Sequence, residues 1–237
     1  MRLFVRLTTQ ALWIQQLGLW ISGAGPALVY DSHMVGVSAF VLAGGQSSRM
    51  GSDKAFLELD GQALISRMLE IVRAVTPVTR IIGNVEKFRA YGEVVDDEFP
   101  GCGPLAGIHA ALRISAEELN LILAVDMPFV AVEFLRYLVQ QAAASDALVT
   151  VPRAEGRWQP LCAVYRREFV EVAEQSLRED NYKIDPLFRR IKVLSVEEQE
   201  LRQRGFSPKM FRNLNTPEDW RSAQESAQTE SSKSSQR

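Results

Sequence analysis

The chain has 237 residues, 46% hydrophobic and 24% charged, the make-up of an ordinary globular protein of one or two domains. A formal net charge of −2 supplies no broad phosphate-neutralising surface, so a general nucleic-acid binder is excluded. Cys102 and Cys162 form neither a disulfide framework nor a metal-ligand pattern and fit a reducing cytoplasm; His33 and His109 are too few for a histidine-rich zinc site, so any metal should be oxygen-ligated.

Residues 1–33 differ in character from the rest of the chain. Arg2, Arg6 and Asp31 are their only charged residues, and the apolar stretch 11–29 is interrupted by Gln15, Gln16, several glycines and Pro26. Basic residues ahead of an apolar run suit a signal peptide, but the glutamines break that run. A membrane span would need about 18 uninterrupted apolar residues, so no membrane association is expected. The segment reads as a poorly structured or nonessential extension, with the functional domain running over 34–221 and opening at Met34.

Residues 37–42 form an apolar, β-branched run that reads as the first strand. It empties into residues 42–54, Leu-Ala-Gly-Gly-Gln-Ser-Ser-Arg-Met-Gly-Ser-Asp-Lys. Binding a triphosphate takes converging backbone N–H groups, no obstructing side chains and fixed positive charge. Gly44 and Gly45 permit the close approach that a Cβ would obstruct. Arg49 offers a planar fork of donors and Lys54 a compact mobile charge, so the two suit different jobs on one anion. The loop is not a P-loop, because five residues separate Gly45 from Gly51 and Ser52-Asp53 intervenes before Lys54. Nor is it a dinucleotide fingerprint, since its glycines are adjacent with no third at the required place. A bare Gly-Gly would be only a tight strand-to-helix turn.

Beyond the loop, strand-like and helical stretches alternate. Leu64, Met68, Ile71, Val72 and Val75 recur at helical spacing until Pro77 stops them. Residues 78–83 read as a second strand, 86–91 as a short polar helix, 93–95 as a brief strand and 105–113 as a helix. The nearly continuous apolar run 119–125 reads as a central buried strand. Strands separated by helices imply right-handed crossovers and a mostly parallel three-layer αβα sheet of Rossmann-like type, with ligands beyond the carboxyl ends of the strands.

Asp126 follows that central strand and is placed to face the same crevice as the glycine loop. It reads as a metal ligand, with a helix N-cap as the alternative. Magnesium binds through one or two carboxylates plus phosphate oxygens and water, so one strand-end carboxylate suffices to anchor it. Asp96-Asp97-Glu98 is an acidic cluster that could simply be a solvated turn. Further on, Phe134, Leu135, Leu138 and Val139 mark a buried helical face, residues 147–151 a strand, and 161–165 another. Between the last two lies a basic, aromatic loop with Arg153, Arg157, Trp158 and Gln159. Thr216-Pro217-Glu218-Asp219 makes a good helix N-terminus, and 222–237, rich in Ser, Gln and Glu, should be disordered.

The pattern of residues 42–54, together with Gly103-Pro104-Leu105-Ala106-Gly107, Val125-Asp126-Met127-Pro128 and Asn213-Leu214-Asn215-Thr216-Pro217-Glu218, resembles the molybdenum cofactor guanylyltransferases, nucleotidyltransferases of Rossmann-like α/β fold. The resemblance spans residues 35–220. It implies transfer of GMP from GTP to the terminal phosphate of molybdopterin or Mo-molybdopterin, with release of pyrophosphate, in the cytoplasm and with Mg²⁺ as cofactor. It implies nucleotide contacts at Leu42, Ala43, Gly44, Gly45, Lys54, Asn84, Asp97 and Asp126, catalytic roles for Lys54, Arg49 and Asp126, and Asp126 as the metal ligand. Asp97 matches the family's acidic position better than Asp96, and Asn84 could equally be a simple turn. The resemblance puts Arg157, Trp158, Asn213 and Asn215 on the pterin side, although a loop Arg is usually solvated and a Trp usually packs. It also implies transient contacts with molybdoenzymes and the proteins that mature them. Two alternatives stand beside it: a cofactor cytidylyltransferase or other nucleotidyltransferase, whose cytidylyl members tend to carry a second alanine at Gly44, and a noncatalytic nucleotide-binding regulator.

Overall fold

The computed structural model describes residues 36–44, 53–214 and 218–221, all within the unit His33–Arg237. The expectations for residues 1–33 and 222–237, and for Gly45, Arg49 and Asn215, lie outside the described residues. In chain order the elements are β1 (Val37–Leu42), a 3-10 turn (Lys54–Phe56), β2 (Glu58–Leu59), β3 (Gln62–Ala63), α1 (Leu64–Arg73), β4 (Thr79–Ile82), α2 (Val85–Phe88) and β5 (Val94–Val95). Next come α3 (Pro104–Ile114), β6 (Leu119–Ala124), α4 (Val132–Ala143), β7 (Val149–Ala154), β8 (Arg157–Trp158), β9 (Cys162–Arg166), α5 (Phe169–Arg178), α6 (Asp185–Phe188), β10 (Val193–Val196), α7 (Glu198–Gln203) and a 3-10 turn (Pro208–Phe211).

The main sheet has the order β10-β7-β9-β6-β1-β4-β5, with β8 paired to β7. β1 runs parallel to both β4 and β6, and β5 and β10 pair parallel with β4 and β7. The expected mostly parallel sheet is present, with β9 inserted antiparallel between β6 and β7. β1 and β6 are buried at every position because helices cover both faces. Phe40, Leu42, Ile122 and Tyr165 pack on one side with α3, α5 and α6. Side chains alternate along a strand, so Ala39, Val41, Leu121 and Leu123 face the other side, where α1 packs on β1 and α4 on β6.

From β1 the chain steps outward through β4 and β5, then crosses back to lay β6 on the opposite flank of β1. This reversal opens a crevice at the carboxyl ends of β1 and β6, the place where ligands bind in open α/β sheets. A second device brings the end of the domain to the same place. Phe134 of α4 is fully buried, with Phe206 and Phe211 edge-on at 5.4 Å each. Truncating such a ring to Ala costs about 3–5 kcal/mol. With residues 206–211 fixed there, the Leu214 N–H reaches the Asp126 carbonyl at 3.0 Å.

Several boundaries differ from the sequence reading. The helix read at 86–91 is the single turn Val85–Phe88, and the strand read at 147–151 continues to Ala154. The expected loop around Arg153 and Arg157 is a tight hairpin: Ala154 pairs with Arg157, while Glu155 (φ 52°) and Gly156 (φ 73°) take the left-handed conformations of a two-residue turn. The β2–β3 hairpin closes in the same way through Asp60 (φ 55°) and Gly61 (φ 74°).

Candidate nucleotide-binding site

The ends of β1 and its neighbours are held by backbone bonds. The Val125 N–H donates to the Leu42 carbonyl at 3.1 Å, and the Ala43 N–H donates to the Ile82 carbonyl at 2.9 Å. The Ala43 N–H is therefore engaged in the sheet and is not free to serve as a phosphate donor. Among the described residues, a Cβ at Gly44 would meet no atom nearer than 4.0 Å, so their packing does not demand glycine there. Gly83 is the reverse case, because its Cβ would lie 3.3 Å from the Gly44 nitrogen and 3.2 Å from the Phe88 ring. Glycine at 83 lets β4 approach the end of β1.

Lys54 re-enters the site on a 3-10 turn anchored by its predecessor. One oxygen of Asp53 caps the turn through the Ala55 N–H at 3.2 Å, and the other takes Lys87 Nζ at 3.0 Å. Lys87 belongs to α2, whose N-cap is Asn84, the Asn84 side-chain oxygen accepting from the Lys87 N–H at 3.0 Å. Phe56 stacks on Phe88 at 5.3 Å, so the lysine turn and α2 form one packed piece. Asn84 is exposed on that piece, with its oxygen committed to the cap. The anchoring by Asp53 and Lys87 is invisible in the sequence; their separation of 34 residues leaves no local signal.

Asp126 is half-buried at the end of β6. Burial pushes its carboxyl above the usual carboxylate range, and the Lys54 ammonium, acting on it across the crevice, pulls it partly back. The two residues that sequence singles out from opposite ends of the motif set thus share one electrostatic environment. Among the described residues, no group of three or more His, Cys, Asp or Glu could hold a metal ion. A partly desolvated carboxylate of this kind fits a hard cation that draws its other ligands from phosphate oxygens and water.

The acidic cluster resolves into unequal members. Asp96 and Glu98 are exposed, whereas Asp97 is half-buried and its Oδ1 has no hydrogen-bond partner among the described residues. Burial raises the Asp97 carboxyl, with the Phe99 N–H and His109 opposing. A carboxylate oxygen left unpaired inside a fold needs an explanation, and Asp97 is the member with an acceptor to offer a ligand.

Beside this crevice lies an open cleft of about 1280 Å³, lined by Arg67 of α1, Pro128, Phe129, Gln159, Lys209 and Asn213 among others. Lys54 and Asp126 are not in its lining, but Pro128 and Phe129 lie just beyond Asp126 in the chain, so cleft and crevice adjoin. Asn213 borders the cleft, and its buried Oδ1 has no hydrogen-bond partner among the described residues. Arg157 and Trp158 do not line it: Arg157 is exposed on the hairpin, and Trp158 packs edge-on against Phe188 at 5.4 Å. Arg67 and Lys209, which no sequence motif marks, supply cationic groups to the lining.

Residues 39–193 match the MobA-like NTP transferase domain. A "Probable molybdenum cofactor guanylyltransferase" of Pelotomaculum thermopropionicum is 39% identical over 188 residues, covering 78% of this chain and 91% of the relative. The "Molybdenum cofactor guanylyltransferase" of Syntrophotalea carbinolica is 37% identical over 193 residues, covering 77% and 88%. The crystal structure of molybdopterin-guanine dinucleotide biosynthesis protein A from Archaeoglobus fulgidus superposes with a TM-score of 0.72 at 29% identity, covering 81% of this chain and 99% of that one. With a family match over most of its length, relatives of nearly equal extent and a shared fold, the chain belongs to the MobA-like NTP transferases, in the branch of the molybdenum cofactor guanylyltransferases.

Proposed function

We propose that this protein transfers GMP from GTP to the terminal phosphate of molybdopterin or Mo-molybdopterin, releasing pyrophosphate and forming a guanine dinucleotide cofactor. The observation that carries the reading is the half-buried Asp126 at the carboxyl end of β6, beside the end of β1 and within the electrostatic reach of Lys54. One end of the crevice is built for anionic phosphate and the other for a cation.

The acceptor phosphate is already an anion, so the protein need not supply a general base; its task is positioning and charge neutralisation. Backbone N–H groups from Gly44 onward, with Lys54 and Arg49, hold the triphosphate so that its α-phosphorus faces the acceptor in line. Leu42 and Ala43, fixed by their bonds to Val125 and Ile82, keep the strand end rigid against the nucleoside. Asp97 offers its unpaired oxygen to donors of the sugar or base, because a carboxylate would repel the phosphates. Asp126 is the residue that would hold a divalent cation, for which Mg²⁺ is the natural choice, and such an ion supplies screening between the attacking phosphate and the one attacked. Asn213 and the adjoining cleft, with Arg67 and Lys209, receive the pterin and its phosphate. Asn215 belongs to the same segment. The substrates place the reaction in the cytoplasm, and its product would pass by transient contact to molybdoenzymes or their maturation proteins.

The test is pyrophosphate release from the purified chain with Mg²⁺, molybdopterin and each of the four nucleoside triphosphates. Release with GTP alone supports the reading. Release with CTP instead moves the chain to the cytidylyl branch, and nucleotide binding without release in any pairing identifies a regulator.

A further inference from the structure

His109 lies in the second turn of α3 and is fully buried, yet neither ring nitrogen has a hydrogen-bond partner among the described residues. Nε2 is 3.8 Å from Glu174 Oε2 of α5, and the Phe99 ring stands edge-on to the imidazole at 5.2 Å and 80°. Phe99 closes the turn that begins at Asp97, the half-buried carboxylate with the unpaired oxygen. The charged groups facing the imidazole are Asp97 and Glu98 from this turn, Glu174 from α5 and Arg113 from α3; Arg178 is tied to Glu174 at 2.6 Å. Burial and Arg113 push His109 below its usual range while Glu174 and Glu98 pull it up, leaving it neutral at neutral pH.

A neutral imidazole buried with nothing nearer to its nitrogens among the described residues than the 3.8 Å approach of Glu174 to Nε2 costs free energy that an apolar side chain of similar size would not. Stability alone therefore does not account for its place. We propose that His109 is a positioning residue for nucleotide binding: it seats the Phe99 ring and thereby fixes the Asp97 carboxylate toward the sugar or base of the nucleotide. The proposal rests on the reading of Asp97 as a nucleotide contact. The chain of contact runs from α3 through an aromatic edge to the turn, and His109 itself touches no substrate.

The test compares the full-length protein with His109→Leu, His109→Gln, Asp97→Asn and the His109→Leu/Asp97→Asn double variant. Dissociation constants for GTP with Mg²⁺ come from calorimetry, KM and kcat from pyrophosphate release, and the His109 ring signal from NMR, which is readily assigned because the chain has two histidines. His109→Leu should fold with an equal or higher Tm but bind GTP about tenfold more weakly, with the loss falling on KM more than on kcat. Asp97→Asn should weaken binding similarly, and the double variant should be no weaker than Asp97→Asn, since both changes break one connection. In the wild type the His109 ring signal should shift when GTP is added, and in Asp97→Asn it should not. Wild-type affinity in His109→Leu and His109→Gln beside a weakened Asp97→Asn overturns the proposal, as do losses that multiply in the double variant or a ring signal that ignores GTP. Wild-type affinity in Asp97→Asn overturns the Asp97 reading itself, a distinct failure.

Discussion

Asp126→Asn should make the metal-free protein more stable and at the same time disable it. Burial raises the Asp126 carboxyl, with Lys54 offsetting part of the effect. An acid whose folded value is raised contributes stability that is fully present below its unfolded value and is lost as pH rises through the folded one. Once it ionises, the Asp126 carboxylate of the metal-free wild type is a partly desolvated charge that the Lys54 ammonium offsets only in part. The amide removes that cost together with the attraction to Lys54, so a net gain of about 1 kcal/mol is expected, within the range of other stabilising substitutions. For a domain of this size that is about 2–4 °C in Tm at pH 7, and the gain should shrink as pH falls toward the carboxylate range. Turnover should drop about 10³-fold, about 4 kcal/mol of transition-state stabilisation. Added Mg²⁺ and GTP at 100 times Kd should stabilise the wild type by about 2.7 kcal/mol and the variant far less. Asp96→Asn, at an exposed position just past the β5 strand end, is the control and should leave both readouts near wild type. Thermal scans with and without ligand, run beside pyrophosphate release, read both quantities. A variant with lower Tm and retained turnover, or equal losses from Asp126→Asn and Asp96→Asn, would refute this reasoning.

Gly83→Ala should raise KM for GTP about tenfold, because its Cβ would press on the Gly44 nitrogen at 3.3 Å and on Phe88 at 3.2 Å; steady-state kinetics check it, and an unchanged KM would mean that the strand end tolerates displacement. Gly44→Ala should fold normally, with nothing among the described residues nearer than 4.0 Å to its Cβ, yet move the GTP-to-CTP ratio of kcat/KM toward CTP; an unaltered ratio would remove position 44 from nucleotide selection. Deleting residues 1–33 should leave GTP affinity within about twofold by calorimetry, and a large loss would make the extension part of the site.

How far the sequence reveals each feature depends on how much local pattern that feature carries. β1, α1, α3 and β6 are long enough for buried runs or helical spacing to declare themselves, and their strand ends carry the motifs into one crevice. β9 is visible as a strand but not as antiparallel, because a buried run such as Cys162-Ala163-Val164-Tyr165 has the same composition in either direction. The continuation of β7 past Val151 is hidden because Pro152 reads as a strand terminator, yet the strand runs on through it and its carbonyl accepts the Gln159 N–H at 2.9 Å. Asp60-Gly61 is a recognised hairpin signal, but strands of two residues show no alternation to confirm it. The role of Trp158 turns on Phe188, a partner 30 residues away, and the His109 environment on Glu174 of another helix. Long-range pairs of that kind leave no trace in spacing.

The most direct test of guanylyl transfer is to follow the label when the purified chain is incubated with Mg²⁺, molybdopterin and GTP labelled at either the α- or the γ-phosphate. Transfer of the α label into a pterin product heavier by GMP, with the γ label recovered in pyrophosphate, is the predicted result. Recovery of the γ label in the pterin, or no labelled pterin despite GTP binding, would contradict it.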